Sequence, residues 1–154
     1  MSLILATGTN IGDRLQNLAQ AKRQLSSVFS LQEESRIYQS AAVDYEEQPD
    51  FYNQVLVFSD PKIEPNLLMT QVLELEAELG RTRDILRGPR IIDIDILFYN
   101  DTKSETDHLS LPHPRLFERS FVIRPLMELE VFKELNKKYD FNTKFDTEAY
   151  PLKL

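Results

Sequence analysis

Residues 88–99 read Gly88-Pro89-Arg90-Ile91-Ile92-Asp93-Ile94-Asp95-Ile96-Leu97-Phe98-Tyr99. From Ile91 onward β-branched and aromatic residues dominate, which predicts a strand. Side chains alternate faces along a strand, so Asp93 and Asp95 point the same way, about 6–7 Å apart at the backbone. Ile92, Ile94 and Ile96 take the opposite face and read as core. Two like charges side by side resist burial. Either that face is wet and the aspartates are solvated, or a cation lies between them. Mg²⁺, hard and octahedral, prefers carboxylate oxygen. Arg81, Arg83, Arg87 and Arg90 immediately precede this strand. Acids that can hold metal, beside an arginine cluster, are what a polyphosphate site needs, because the guanidinium fork binds phosphate bidentately.

The chemistry of the chain as a whole agrees. Of 154 residues 42% are hydrophobic and 28% charged, the proportions of one ordinary globular domain, 1–154. Cysteine is absent, which excludes disulfides, thiolate zinc sites and a cysteine nucleophile. The apolar opening Ser2–Ala6 is too short for a signal peptide, and no apolar run reaches membrane-spanning length. The expectation is a cytoplasmic protein with no membrane association. A net charge of −7 argues against general nucleic-acid binding. The charge is uneven: Arg81–Arg124 holds eight basic and seven acidic residues and seven of the ten arginines. An anionic ligand would be drawn there.

The elements that position these residues follow from periodicity. Leu3 to Thr7 reads as a buried strand, followed by a Gly8–Asp13 turn. A helix comes next, with Leu15, Leu18, Leu25 and Val28 at helical spacing. Leu31 to Tyr38 alternates weakly as a strand, Gln39–Asp50 reads as a loop, and Phe51–Phe58 as a strand. Pro65 starts a second helix with the stripe Leu68, Val72, Leu75 and Leu79, capped by Gly80. The Asp-x-Asp strand follows the Arg81–Arg90 loop. Asn100–His108 reads as a polar turn, Leu109–His113 as a short strand, and Phe121–Leu129 as a helix with Pro125 near its first turn. Residues 130–154 lack clear periodicity. Strand, helix, strand, strand, helix, strand is the order of a ferredoxin-like α+β fold, βαββαβ.

Other residues carry two readings each. Gly8-Thr9-Asn10-Ile11-Gly12 fits a simple strand–helix turn better than a phosphate nest, lacking the spacing of a dinucleotide or P-loop fingerprint. Asn53 shares a strand face with Phe51, Val55 and Val57. Its amide suits a heterocycle's edge or local backbone. Glu76, just off the apolar stripe, reads by default as a surface carboxylate. His113, between Pro112 and Pro114, is a loop residue or a hydrogen-bond donor to phosphate. Arg119 is a solvated cation or a phosphate ligand, and Phe121 is core or a stacking platform.

In order along residues 1 to about 130, these landmarks are Gly8-Thr9-Asn10, Gln48-Pro49-Asp50-Phe51-Tyr52-Asn53, Glu76-x-x-x-Gly80-Arg81-x-Arg83, Gly88-Pro89-Arg90-x-x-Asp93-x-Asp95, Pro112-His113-Pro114 and Arg119-Ser120-Phe121. The set resembles the 6-hydroxymethyl-7,8-dihydropterin pyrophosphokinase family of folate biosynthesis. The resemblance implies a three-layer α/β/α sandwich on a mostly antiparallel ferredoxin-like sheet. It implies transfer of pyrophosphate from ATP, the co-substrate, to the pterin hydroxymethyl group, releasing AMP. Two Mg²⁺ ions would be held by Asp93 and Asp95. Arg81, Arg83, Arg90 and Arg119 would handle phosphates, with His113 beside them and Glu76, Ile96 and Ser110 along the nucleotide. The pterin would stack between Phe51 and Phe121, read by Asn53, with Ser40 and Val43 lining the pocket. The second loop departs from the family pattern at Ala41–Asp44, no tryptophan precedes Gly88, and the tail beyond Glu130 matches poorly. The partners implied are small molecules, with no nucleic acid or membrane, and the sequence does not specify protein partners. Two other readings remain: a nucleotidyltransferase, which also uses Asp-x-Asp on a strand, and a non-catalytic ferredoxin-like module binding a small molecule.

Overall fold

The computed structural model describes residues 1–42, 48–80, 91–106 and 109–153. Ser2–Thr9 forms β1, an eight-residue strand buried on both faces. Asp13 ends the following turn and caps α1 (Arg14–Val28) by accepting from the Gln16 N–H at 3.1 Å. The buried stripe of α1 is Leu18, Ala21 and Leu25. Leu15 and Val28, expected on that stripe, are 39% and 51% exposed and fall on the first and last turns of the helix.

The expected 31–38 strand is two strands, β2 (Leu31–Glu34) and β3 (Tyr38–Ser40). The ladder breaks at Ser35, whose hydroxyl accepts the Val55 N–H and whose N–H donates to the Val55 carbonyl. β4 (Phe51–Ser59) and α2 (Pro65–Glu78) follow as the sequence predicts. Gly80 sits at φ +91°, the left-handed position a helix end requires. β5 runs from Asp93 to Tyr99. The 100–108 turn carries β6 (Ser104–Glu105), which pairs with β7 (Ser110–Leu111). A 3₁₀ turn at Leu116–Glu118 leads into α3 (Ser120–Met127), with Pro125 inside the helix. The region without clear periodicity holds α4 (Val131–Lys138) and β8 (Tyr150–Pro151).

The main sheet has the order β5-β1-β4-β3-β8, with β2 also on β4, and its pairings are antiparallel. Taken as β5, β1, β4, β2, this is the ferredoxin-like arrangement. One face packs Leu3, Leu5, Leu56, Ile94 and Ile96 against α1 and α2. The other packs Ile4, Val55, Val57 and Leu97 against α3 and α4. The three-layer sandwich is as expected. Among the described residues no helix is long and apolar enough to cross a membrane.

Candidate active site

Register across three strands builds the floor of the site. Gly8 on β1 lies opposite Asn53 on β4 and Asp93 on β5, and Ala6 lies opposite Val55 and Asp95. Neighbouring strands are about 4.8 Å apart, so Asn53 and Asp93, on either side of Gly8, stand roughly 9–10 Å from each other. Small residues at positions 6 and 8 leave that floor open. A Cβ at Gly8 would stand 2.8 Å from Asn53 Oδ1, so the close approach requires glycine. The Asn53 amide donates to Ser40 Oγ at 3.0 Å. Both side chains are buried, and the bond fixes which way the amide faces.

Ser40, Phe51, Asn53, Asp93, Asp95, Arg119 and Phe121 all line one cleft of about 610 Å³. The opposite face of β5 holds Ile92, Ile94 and Ile96 in the core, as alternation predicts. Ile96 therefore points away from the carboxylates, into the α1/α2 layer. Glu76 and Ser110 also lie outside the cleft lining among the described residues.

The surface reading of Glu76 is overturned: it is 4% exposed, and its Oε2 accepts the Ile94 N–H at 2.6 Å. β5 is an edge strand of the sheet, and this carboxylate covers an outward backbone donor that would otherwise be left unpaired. Glu76 thereby ties α2 to the strand that bears both aspartates.

Asp95 is the electrostatic hub. Arg119 Nη1 lies 3.6 Å from its Oδ2, and His113 Nε2 lies 3.9 Å from its Oδ1. Burial, reinforced by the Arg119 and Arg115 cations against the pull of Asp93, pushes the His113 imidazole down to about 4. It is neutral at pH 7, so its approach to Asp95 is a polar contact between a neutral ring and a carboxylate. Nδ1 accepts the Arg115 N–H at 3.2 Å, leaving Nε2 to carry the proton and face Asp95. Arg119 also stands over the Phe121 ring, 5.6 Å from its centroid.

Gly8 and Thr9 belong to β1, and residues 10–13 make a simple strand–helix turn rather than a phosphate nest. Asn10, fully buried, donates to Gln48 Oε1 at 2.6 Å and to the Pro49 carbonyl at 3.2 Å. Arg14 donates to the Asp50 carbonyl at 2.8 Å and lies over the Tyr52 ring. These bonds fasten the chain entering β4, which carries Phe51 and Asn53. Val43, Arg81, Arg83 and Arg90 lie outside the described residues.

The donor set suits Mg²⁺. Asp93 and Asp95 offer oxygens from one strand face. No group of three or more His, Cys, Asp or Glu gathers among the described residues. Mg²⁺ characteristically takes one or two carboxylates and fills its octahedron with water and substrate phosphate. Sequence reasoning missed Gly8 and Ala6 as the cleft floor, although small residues two apart on a strand were a readable signal. It also missed Arg115, Glu118 and the segment 142–147, which line the same cleft.

Comparison with known proteins shows the family of the chain. The family model described as 7,8-dihydro-6-hydroxymethylpterin-pyrophosphokinase matches residues 4–131. The 2-amino-4-hydroxy-6-hydroxymethyldihydropteridine pyrophosphokinase of Bacillus subtilis is 40% identical over 127 residues, covering 81% of this chain and 75% of that protein. The enzyme of the same name from Aquifex aeolicus is 36% identical, covering 84% and 80%. The mitochondrial folate synthesis bifunctional protein of Pisum sativum is 40% identical over 128 residues, but the match spans only 25% of its length. A Plasmodium falciparum HPPK-DHPS crystal structure shares the fold at TM-score 0.63 and 14% identity, over 83% of this chain and 39% of that one. The chain belongs to the 7,8-dihydro-6-hydroxymethylpterin-pyrophosphokinase family.

Proposed function

We propose that this chain transfers pyrophosphate from ATP to the hydroxymethyl group of 6-hydroxymethyl-7,8-dihydropterin, giving the pterin diphosphate and AMP. Family membership supports the reaction, and the Asn53–Gly8–Asp93 row is the observation that carries it to this site. That row and the Val55–Ala6–Asp95 row beside it set an amide reader and a pair of carboxylates on one face of one cleft. The pterin lies over Gly8 between Phe51 and Phe121, its polar edge read by Asn53, with Ser40 orienting the amide. By the resemblance to the family, Val43 would also belong to the pterin pocket.

The pterin hydroxyl oxygen bonds to the β-phosphorus while the Pα–O–Pβ bridge breaks, and AMP leaves with the bridging oxygen. Asp93 and Asp95 would hold two Mg²⁺ ions, which would supply acidification of the hydroxyl and neutralisation of phosphate charge. Arg119, placed against Asp95, stabilises charge that builds on the phosphoryl oxygens. Neutral His113 presents its Nε2–H to the same region as a donor without adding charge. Arg81, Arg83 and Arg90 bind the triphosphate, whereas Glu76 and Ile96 support β5 from its core side and Ser110 lies outside the cleft lining, so contact of these three with the nucleotide falls beyond the cleft. No described residue is set up as a strong base, so the hydroxyl proton passes to water or to a carboxylate. Residues 1–154 act as one cytoplasmic catalytic domain on small-molecule substrates.

The test is incubation of the purified chain with ATP, Mg²⁺ and the pterin. AMP should appear in equal amount to pterin diphosphate. Release of inorganic diphosphate instead of AMP would mark a nucleotidyltransferase and overturn the reading.

A further inference from the structure

The family match ends at residue 131, yet the chain beyond it returns to the cleft. Asn142, Lys144, Phe145, Asp146 and Thr147 line the same cavity as Asp93, Asp95 and Phe121. The segment is fastened along its length to elements that carry site residues. The Asn142 amide donates to the Phe117 carbonyl at 3.1 Å, and Ser120 Oγ donates to the Thr147 carbonyl at 2.6 Å. Arg124 donates to the Thr143 carbonyl at 2.8 Å and grips both Glu148 oxygens at 2.8 and 3.0 Å. Phe141 packs on Phe117 and Phe132 with centroids 5.4 and 5.0 Å apart. Beyond the segment, β8 pairs with β3, the strand that ends at Ser40. Residues 142–147 therefore bridge the start of α3, which bears Phe121, and the strand that bears Ser40.

Lys144 is the chemically pointed residue of this bridge. It is exposed to the cleft, and among the described residues it forms no ion pair. Arg119, by contrast, already faces Asp95. Among the described residues the lining holds three cations, Arg115, Arg119 and Lys144, against four carboxylates, and Lys144 is the one of the three on the tail side of the cleft. An ammonium offers three donors and no acceptor, which suits phosphate oxygen. The pterin edge needs donor and acceptor together, and Asn53 supplies both.

The geometry points to residues 142–147 as a further wall of the substrate cleft, with Lys144 binding phosphate oxygens of the nucleotide. This rests on the pyrophosphoryl-transfer reading and adds a residue that the family match does not reach.

The experiment measures binding of a non-hydrolysable ATP analogue with Mg²⁺, and of inorganic tripolyphosphate alone, by titration calorimetry at low and high salt. Lys144→Gln should weaken both about five- to tenfold at low salt, the scale of one charge-assisted contact at an exposed rim. Lys144→Arg should restore affinity to within about twofold, Lys144→Glu should lose more than Lys144→Gln, and the differences should shrink as salt rises. Unchanged affinity in Lys144→Gln, or equal losses in the Gln and Arg variants, overturns the assignment and leaves the tail as packing. AMP formation by the unaltered chain is the separate control. Its absence would sink the pyrophosphokinase reading itself, whereas its presence with unchanged Lys144→Gln binding would sink only Lys144.

Discussion

Two walls face each other across this cleft, and they are held in different ways. The sheet wall, with Gly8, Asn53, Asp93 and Asp95, is set by backbone ladders on both sides of β1. None of those residues can shift alone without moving the register of three strands. The opposite wall, formed by the 3₁₀ turn, the start of α3 and residues 142–147, rests on individual side-chain bonds such as Ser120 to Thr147 and Arg124 to Glu148. The sheet wall can hold chemistry to sub-ångström tolerance. The other wall tolerates change and is where substrate preference can be tuned.

If that contrast is right, changes on the sheet wall should strike chemistry hardest. Asp95→Asn keeps the shape of the side chain but removes its charge. Turnover should fall by about 10²- to 10⁴-fold, since a lost metal ligand costs several kcal/mol of charge stabilisation. The thermal midpoint should hardly move, because Asp95 faces the cleft and the core lies on the other face. AMP release in saturating Mg²⁺ at the wild-type rate would remove Asp95 from the chemistry.

Gly8→Ala tests how tightly the floor is set. The added Cβ meets Asn53 Oδ1 at 2.8 Å, and Asn53 is itself bonded to Ser40. Because β1 is locked between two strands, the amide must yield. The expected cost is about 1–3 kcal/mol, as overpacking or as a rise in KM for the pterin with a smaller rise for ATP. A variant with unaltered stability and unaltered pterin KM would show that the floor has slack.

Phe121→Ala probes the facing wall. Phe121 is half-buried, and Arg119 stands over its ring. Loss of one stacking face should weaken pterin binding by about 0.5–1.5 kcal/mol beyond the loss of buried area. ATP binding should change much less. Calorimetric titration of each ligand separates the two, and equal weakening of both would deny Phe121 a pterin-specific role.

The sequence was readable where a local rule decided the outcome. Alternation placed Asp93 and Asp95 on one face and Ile94 and Ile96 on the other, because side chains on a strand have no other choice. Pro65, Gly80 and the Leu68–Val72–Leu75 stripe defined α2 for the same reason. It was unreadable where a distant partner decided. Glu76 reads as a surface residue until the Ile94 N–H is brought beside it, 18 positions away along the chain. Residues 139–149 have no period because they are held by bonds to Phe117, Ser120 and Arg124. β8 is two residues long, and only its partner β3 makes it a strand. The sheet wall could thus be derived from spacing, and the tail wall could not.

The smallest effect tests the bonds of that second wall directly. Arg124 and Glu148 form a two-point pair, yet their side chains are 28% and 30% exposed, so water screens it. A double-mutant cycle with Arg124→Met and Glu148→Gln, read by urea unfolding, should give a coupling of about 0.5–1 kcal/mol at low salt. The pH dependence has a definite sign. The hydrogen bond from Arg124 holds the Glu148 carboxyl below the ordinary glutamate range. A carboxylate whose folded pKa is lowered binds its proton more readily in the unfolded chain. The coupling should therefore be fully present above the ordinary glutamate range and vanish as pH falls through the lowered folded value. It should also shrink with added salt, as a screened pair must. Zero coupling at neutral pH would mean that ring packing and the β3–β8 pairing hold the tail without this pair. The tail wall would then be tied as cooperatively as the sheet wall, and changes at residues 142–147 should cost stability rather than alter ligand preference.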